Sequence, residues 1–337
     1  MKRITIAALV AIGAISASAF TAREVTVANH TDGVQLAGTL TLPDNKAKPR
    51  AALVLATGSG AQDRDETVFS HKPFKVIAET LADRGYAVLR MDDRGVGAST
   101  GDRSTVTTAS NVRDVEAGLA WLDSAFTGVP AGVLGHSEGG QIAMRIGAGN
   151  PKCRFIISLA GPAWRGDSIV MSQSRAIATA VTGRWDAENR QRALLKTAAS
   201  TMPDYVARPM MIAEISKELG EAASLPQVQE QISQQIDAML SPWYREFLRY
   251  DPADDIRAVK VPWLALNGEK DLQVLPANLT TIKQLCPAAT VVELPGHNHL
   301  FQHATTGLMK EYATLPESIS EETLKAILDW LGEQKLQ

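Results

Sequence analysis

The feature that most constrains this chain is a rhythm. Short, compact apolar runs of strand length alternate with intervals of helical periodicity. The runs are Ala51–Ala56, Ala87–Met91, Gly132–Leu134, Phe155–Ala160, Trp263–Asn267 and Thr290–Leu294. The helical intervals are Phe74–Arg84, Val112–Ser124, Gln141–Ala148 and Glu321–Leu331. A strand that is mostly apolar, with no alternation of polar residues, has no polar face to turn to water, so both of its faces must be covered. Crossover helices between parallel strands supply that cover. The rhythm therefore predicts an α/β fold with a mostly parallel central sheet and helices on both faces. Ahead of it, Glu24–His30 and Val34–Leu42 alternate apolar and polar residues around Thr31-Asp32-Gly33. That pattern predicts an antiparallel hairpin.

Between Pro162 and Asp255 the rhythm fails. No buried strand is evident there, only helical stretches rich in Ala, Gln and Met, punctuated by Pro203, Pro209, Pro226 and Pro242. Val228–Leu240 and Trp243–Leu248 are amphipathic. The segment is too long for a loop in a compact domain. It reads as a helical cap, 162–255, inserted into a core made of 20–161 and 256–337. Its apolar face can cover the sheet edge, wall a substrate pocket, or do both.

The first nineteen residues have a different character. Lys2 and Arg3 are followed by the uncharged apolar run Ile4–Ile15 and the small residues Ala17-Ser18-Ala19. This is the order of a secretory signal peptide, cleaved after Ala19, and it predicts a periplasmic or secreted protein. The run is shorter than the roughly 20 residues of a spanning helix, although an uncleaved anchor is the alternative. No stable membrane insertion is expected after cleavage. With 21% charged residues and a formal net charge of −3, the chain has the composition of neither a disordered segment nor a basic nucleic-acid binder. Cys153 and Cys286 each come just before a different core run and read as buried thiols, with a disulfide as the alternative.

Chemistry concentrates in the turns after the apolar runs. Gly135-His136-Ser137-Glu138-Gly139-Gly140 separates the run ending at Leu134 from the helix beginning near Gln141. A serine on such a strand-to-helix turn is held in strained backbone geometry with its hydroxyl lifted above the sheet. Flanking glycines avoid collisions with neighbouring backbone, and the helix N-terminus favours developing negative charge. Ser137 is therefore the candidate nucleophile, with a plain Gly-rich turn as the alternative. Its hydroxyl needs a base, and the base needs an orienting carboxylate. Asp271, in Gly268-Glu269-Lys270-Asp271, is the candidate acid, with Glu269 in reserve. His297 and His299, in Pro295-Gly296-His297-Asn298-His299-Leu300-Phe301, compete for the base. No carboxylate or Cys cluster accompanies them in the sequence, so no metal site is expected. His136 reads as a packing and hydrogen-bonding element, and His303 as a surface or supporting residue.

An oxyanion needs fixed donors. The Glu138 backbone N–H is one. The other falls within Thr57-Gly58-Ser59-Gly60, where Ser59 is placed ahead of Gly60. Two mixed-charge turns remain, Gln62-Asp63-Arg64-Asp65-Glu66 and Asp92-Asp93-Arg94-Gly95-Val96-Gly97. Mutual pairing that stiffens the loops is the expectation; recognition of a substrate carboxylate by Arg64 or Arg94 is the alternative.

Taken together, these motifs resemble those of bacterial α/β-hydrolase esterases, a group also labelled serine-aminopeptidase-like or dipeptidyl-peptidase-like. The matching stretches are Gly58–Asp65, Asp92–Gly97, Gly135–Gly140, Asn267–Asp271 and Asn298–Phe301. They extend over roughly residues 50 to 335, interrupted by the cap. The resemblance implies the α/β-hydrolase fold and a triad in the order Ser137, Asp271, His299. It implies cleavage of a small-molecule carboxylic ester through an acyl-enzyme, without metal or organic cofactor. A small serine exopeptidase or amidase acting on short peptides is the alternative. A non-catalytic binding protein on the same scaffold would be expected to lack one triad member. Dehalogenases and epoxide hydrolases carry Asp where Ser137 stands.

Overall fold

The computed structural model describes residues 20–44 and 47–334. In chain order the elements are β1 Phe20–Asn29, β2 Val34–Pro43, β3 Ala52–Ala56, α1 Pro73–Asp83, β4 Ala87–Met91, α2 Thr108–Ala125, β5 Ala131–His136, α3 Glu138–Gly149 and β6 Cys153–Leu159. There follow α4 Gly166–Thr182, α5 Glu188–Ala198, α6 Asp204–Leu219, α7 Pro226–Leu240, α8 Pro242–Arg249 and α9 Ala253–Ala258. The chain closes with β7 Trp263–Gly268, α10 Ala277–Leu285, β8 Thr290–Leu294, α11 Met309–Tyr312 and α12 Glu321–Glu333.

The strands form one eight-stranded sheet in the order β1-β2-β4-β3-β5-β6-β7-β8. The β1–β2 hairpin is antiparallel, β2 runs antiparallel to β4, and every later pair is parallel. This is the mostly parallel sheet that the alternating rhythm predicted, in the α/β-hydrolase arrangement that the resemblance implied. The strands β3, β4, β5 and β7 are buried at every position, and alternate side chains leave by opposite faces. Leu53 and Leu55 meet Phe74, Ile77 and Leu81 of α1 and Trp330 of α12. Val54 and Val133 meet Leu119 of α2 and Ile142 of α3 on the other face. Each such burial contributes about 1.5–3 kcal/mol, and losing either layer would expose a whole face of the sheet.

Two boundaries differ from the sequence reading for local reasons. β5 runs past its apolar stretch through Gly135 and His136, because Ser158 and Leu159 of β6 keep them paired. Pro209 lies inside α6 rather than ending it. The carbonyl it deprives of an i+4 donor belongs to Tyr205, an exposed residue, where water can substitute.

Helices α4 to α8 surround a third apolar cluster that includes Ile169, Leu194, Met211, Ile236 and Leu248. Helix α9 packs instead against α3 and α10. No helix among the described residues is long and apolar enough to cross a membrane. The expected signal peptide, 1–19, lies outside the described residues.

Candidate active site

The turn between β5 and α3 is tight because backbone must pass backbone. A Cβ on Gly135 would come within 1.9 Å of the Gly139 carbonyl oxygen, and one on Gly139 within 1.9 Å of that of Ala56. Ser137 sits between them at φ 54° and ψ −119°, a conformation that costs a non-glycine residue on the order of 1–3 kcal/mol. Its N–H bonds the Leu159 carbonyl at 2.8 Å, which anchors the turn to β6. The side chain is partly exposed, at the carboxyl edge of the sheet.

The loops after β7 and β8 meet beside it. His299 Nδ1 lies 2.7 Å from Asp271 Oδ2, and both residues are buried. The other Asp271 oxygen accepts from the backbone N–H groups of Gln273 at 2.8 Å and Val274 at 2.9 Å. Those donors fix the plane of the carboxyl group. A carboxylate on Nδ1 sets the tautomer, leaving the Nε2 lone pair to take a proton. His299 Nε2 and Ser137 Oγ share no hydrogen bond in the structure, and contacts of this kind commonly tighten only with substrate bound.

The competing residues go elsewhere. Glu269 accepts from the Gly296 N–H at 2.7 Å. His297 bonds the Pro295 carbonyl through Nδ1 and Ser320 Oγ through Nε2, each at 2.8 Å. One sequence expectation needs correction here. The histidines after β8 do have carboxylate neighbours, brought in by the segment before α12 and by the first turn of that helix. Glu317 lies 2.8 Å from His303 Nδ1 and Glu322 lies 3.7 Å from its Nε2. Sequence distance concealed them.

Ser59, Ser137 and Glu138 line one pocket of about 150 Å³, closed by Pro162, Ile169, Val170, Trp243, Tyr244, Phe247, Gln273 and Val274. Among the described residues no protein acceptor takes the backbone N–H of Ser59, Gly60 or Glu138. The Gly58 N–H is already given to Glu66 Oε1 at 2.6 Å. A larger cleft, about 950 Å³, runs along the other face of α4 and includes none of Ser137, Asp271 or His299.

Glu66 is the residue that sequence reasoning passed over. It is 2% exposed, and the oxygen that holds Gly58 also lies 3.0 Å from His136 Nδ1. His136 Nε2 in turn lies 2.9 Å from the His299 carbonyl oxygen. One buried acid and one imidazole thus tie the Ser59 loop, the turn bearing Ser137 and the loop bearing His299. Burial pulls the His136 pKa down, but the charge and hydrogen bond of Glu66, with the His299 carbonyl, outweigh it and leave the pKa raised. A ring whose nitrogens face a carboxylate and a carbonyl must donate from both, unless the carboxyl holds the proton. The only sequence signal was an acid closing the Gln62–Glu66 cluster.

The remaining charges are spent internally. Arg64 grips both oxygens of Asp92 at 2.8 and 3.0 Å. Arg94 holds Asp114 at 2.6 and 2.7 Å and Asp32 at 2.7 Å. Both guanidinium groups are committed to stiffening the edge, as mutual pairing required. Asp93 accepts from Thr57 Oγ1 at 2.7 Å and the Gln62 N–H at 3.0 Å, so it holds both ends of the Ser59 loop. Burial pushes its pKa up to about 7 against those two bonds. Glu138 has its carboxyl raised by burial, partly offset by hydrogen bonds from Thr108 and Trp243. Cys153 and Cys286 are buried free thiols, and burial pushes that of Cys153 up to about 12.

Comparison with known proteins follows the same outline. The sequence profile described as serine aminopeptidase, S33, matches residues 48–299, a span that holds Ser137 and Asp271 and ends on His299. Esterase EstD of Thermotoga maritima is 34% identical over 129 residues, covering 38% of this chain and 31% of that protein. A monoglyceride lipase homolog of monkeypox virus is 26% identical over 122 residues, covering 36% and 41%. The chain thus spans less than half the length of either relative. Among solved structures, an esterase of Pyrococcus furiosus superposes with a TM-score of 0.56 at 18% identity, over 93% of this chain and 91% of that one. The α/β-hydrolase GrgF of Penicillium gives 0.56 at 17% identity, over 93% and 97%.

Proposed function

The chain belongs to the serine aminopeptidase family of α/β-hydrolases, and from that premise we propose that it is a serine hydrolase that cleaves carboxylic esters through an acyl-enzyme. The observation that carries the proposal is the 2.7 Å contact between His299 and Asp271 beside a pocket into which Ser137 opens. His299 takes the Ser137 proton as Oγ attacks the ester carbonyl. Asp271 holds the imidazole in the required tautomer and stabilises its charged form. The N–H groups of Ser59 and Glu138 receive the oxyanion, a contribution on the order of 3 kcal/mol per donor in such sites. His299 then protonates the departing alcohol. Water, activated by the same base, releases the acid and restores Ser137.

Ester is placed ahead of amide because the pocket wall contains one carboxyl group, Glu138, and burial raises its pKa. An acid that tends to neutrality is a poor anchor for a substrate ammonium group. The signal-like segment 1–19 supports action in the periplasm or outside the cell.

The test uses purified protein, p-nitrophenyl acetate and butyrate, and a fluorophosphonate probe. Turnover together with probe labelling, both lost in Ser137→Ala, is the expected result. Labelling without ester turnover, accompanied by hydrolysis of aminoacyl arylamides, would assign the site to exopeptidase chemistry. Folded protein that neither labels nor turns over would overturn the catalytic reading.

A further inference from the structure

The pocket beside Ser137 has walls specific enough to fix which half of the substrate it takes and how long that half can be. A leaving group must lie against His299 to collect its proton. His299 is not among the pocket walls, whereas both oxyanion donors, Ser59 and Glu138, are. The walled space therefore lies on the acyl side of the reacting carbonyl. Its volume is about 150 Å³, and a cavity of about that size accommodates a molecule of about six carbons. Trp243 closes it from the cap, stacked on Phe247 with ring centroids 5.6 Å apart.

Trp243 does not stand there by packing alone. Its Nε1 donates to Glu138 Oε1 at 2.9 Å, and the same oxygen accepts from Thr108 Oγ1 at 2.7 Å. The residue immediately after the nucleophile thus fixes the cap wall of the pocket. A second anchor reinforces it on the same helix, where Glu246 of α8 accepts from the Ala109 N–H at 3.0 Å. The wall is tied to α2 and α3 of the core, so a longer chain cannot simply push it aside.

We propose that this pocket restricts the enzyme to short acyl groups, acetyl to butyryl, and that Trp243, oriented by Glu138, sets the limit. The proposal rests on the ester-hydrolase reading above and adds to it the substrate class and the residues that measure it. A butyryl group brings five heavy atoms into the pocket and an octanoyl group nine, so the longer chain must leave part of its length outside or displace α8. Selectivity of this kind against added methylenes runs to tenfold or more.

The test is a p-nitrophenyl ester series from acetyl to octanoyl, normalised to sites titrated with a small alkyl fluorophosphonate. The expected result is kcat/KM at least about tenfold lower for octanoyl than for butyryl. In Trp243→Ala the octanoyl-to-butyryl ratio should rise about tenfold, and in Val170→Phe the butyryl-to-acetyl ratio should fall. If Trp243→Ala does not fold, the wild-type protein still decides: a long-chain alkyl fluorophosphonate should label Ser137 far more slowly than an ethyl one. Equal turnover of all chain lengths, or equal labelling by both probes, overturns the proposal while leaving the ester-hydrolase reading intact. Titrated sites with no turnover of any ester would instead remove the reading on which it rests.

Discussion

The carboxyl edge of the sheet and the helices of α4 to α8 use charge in opposite ways. At the sheet edge the innermost pairs are buried and multiply bonded: Arg94 and Asp114 are 8% and 9% exposed, His299 and Asp271 5% and 0%. Across the cap most of them have at least one partner well exposed, as in Arg184 and Asp186 at 78% and 71%. Removing one partner of a buried pair strands a charge where nothing can solvate it, at about 3–5 kcal/mol. Removing one partner of an exposed pair costs about 0–1 kcal/mol. The loops that bring Ser137, Asp271 and His299 together are thus framed by interactions that cannot be exchanged cheaply, while the cap holds its form by aliphatic packing around residues such as Leu194 and Ile236. Position is fixed at one layer, and pocket shape is set by the other.

The largest expected effect separates chemistry from stability. Ser137→Ala should lower kcat by about a millionfold while changing stability by less than about 0.5 kcal/mol, because no other side chain depends on the Ser137 hydroxyl. Esterase assays beside calorimetric melts read both, and a large fall in Tm would mean that the turn needs its serine to fold. Next comes Glu66→Ala, which strips the Gly58 N–H and the His136 ring of their shared acceptor. It should destabilise by about 3 kcal/mol and lower kcat by about a hundredfold through misplacement of the Ser59 loop. Glu66→Gln, which restores an acceptor without the charge, should fall between. If Glu66→Ala melted lower yet kept full kcat, the buried network would be scaffolding only.

Much of this edge was legible beforehand, and what was not has physical reasons. Ser137 and Asp271 follow the buried strands β5 and β7 and His299 follows the edge strand β8, and strands of a parallel sheet deliver the loops after them to one edge, so local pattern sufficed to gather them. Glu66 could not be read that way. Its role arises from contacts with Gly58, eight residues away, and His136, seventy residues away, and nothing in Gln62–Glu66 distinguishes a bridging acid from a solvated one. Glu317 and Glu322 were missed beside His303 for the same reason. The alternation of strands and helices was visible because burial on two faces leaves an apolar signature. Which side chains wall the pocket was not, because an amphipathic helix shows that it has an inner face but not what that face meets.

Asp93 offers a sharper probe of the buried edge through pH. Its folded pKa, pushed up to about 7, lies above that of an aspartate in the unfolded chain, about 3.9. Between those values the folded state holds a proton that the unfolded state has lost, so stability falls as pH rises across that window. The ceiling on the loss is on the order of 4 kcal/mol. Asp93→Asn should remove the slope. Its hydrogen bond to the Gln62 N–H is weakened at every pH, but its Tm relative to wild type should improve from pH 4.5 to pH 8. Parallel melting curves across that range would place the Asp93 proton elsewhere.

The smallest effect tests the other side of the comparison. Glu188 in α5 accepts from Arg175 at 3.0 Å and from Arg192 at 2.9 Å, with both arginines more than half exposed and Glu188 at 39%. Long side chains held in water give back in lost rotamer freedom most of what the ion pair gains. Arg192→Ala should therefore shift stability by less than about 0.5 kcal/mol, which in a chain of this size moves Tm by about 1–2 °C. Activity should be unchanged, because Arg192 borders the cleft on the far side of α4 and not the pocket at Ser137. Raising the salt concentration should reduce even that small shift by screening the pair. A loss of several kcal/mol, insensitive to salt, would show the cap using charge as the sheet edge does, and the distinction between the two layers would fail.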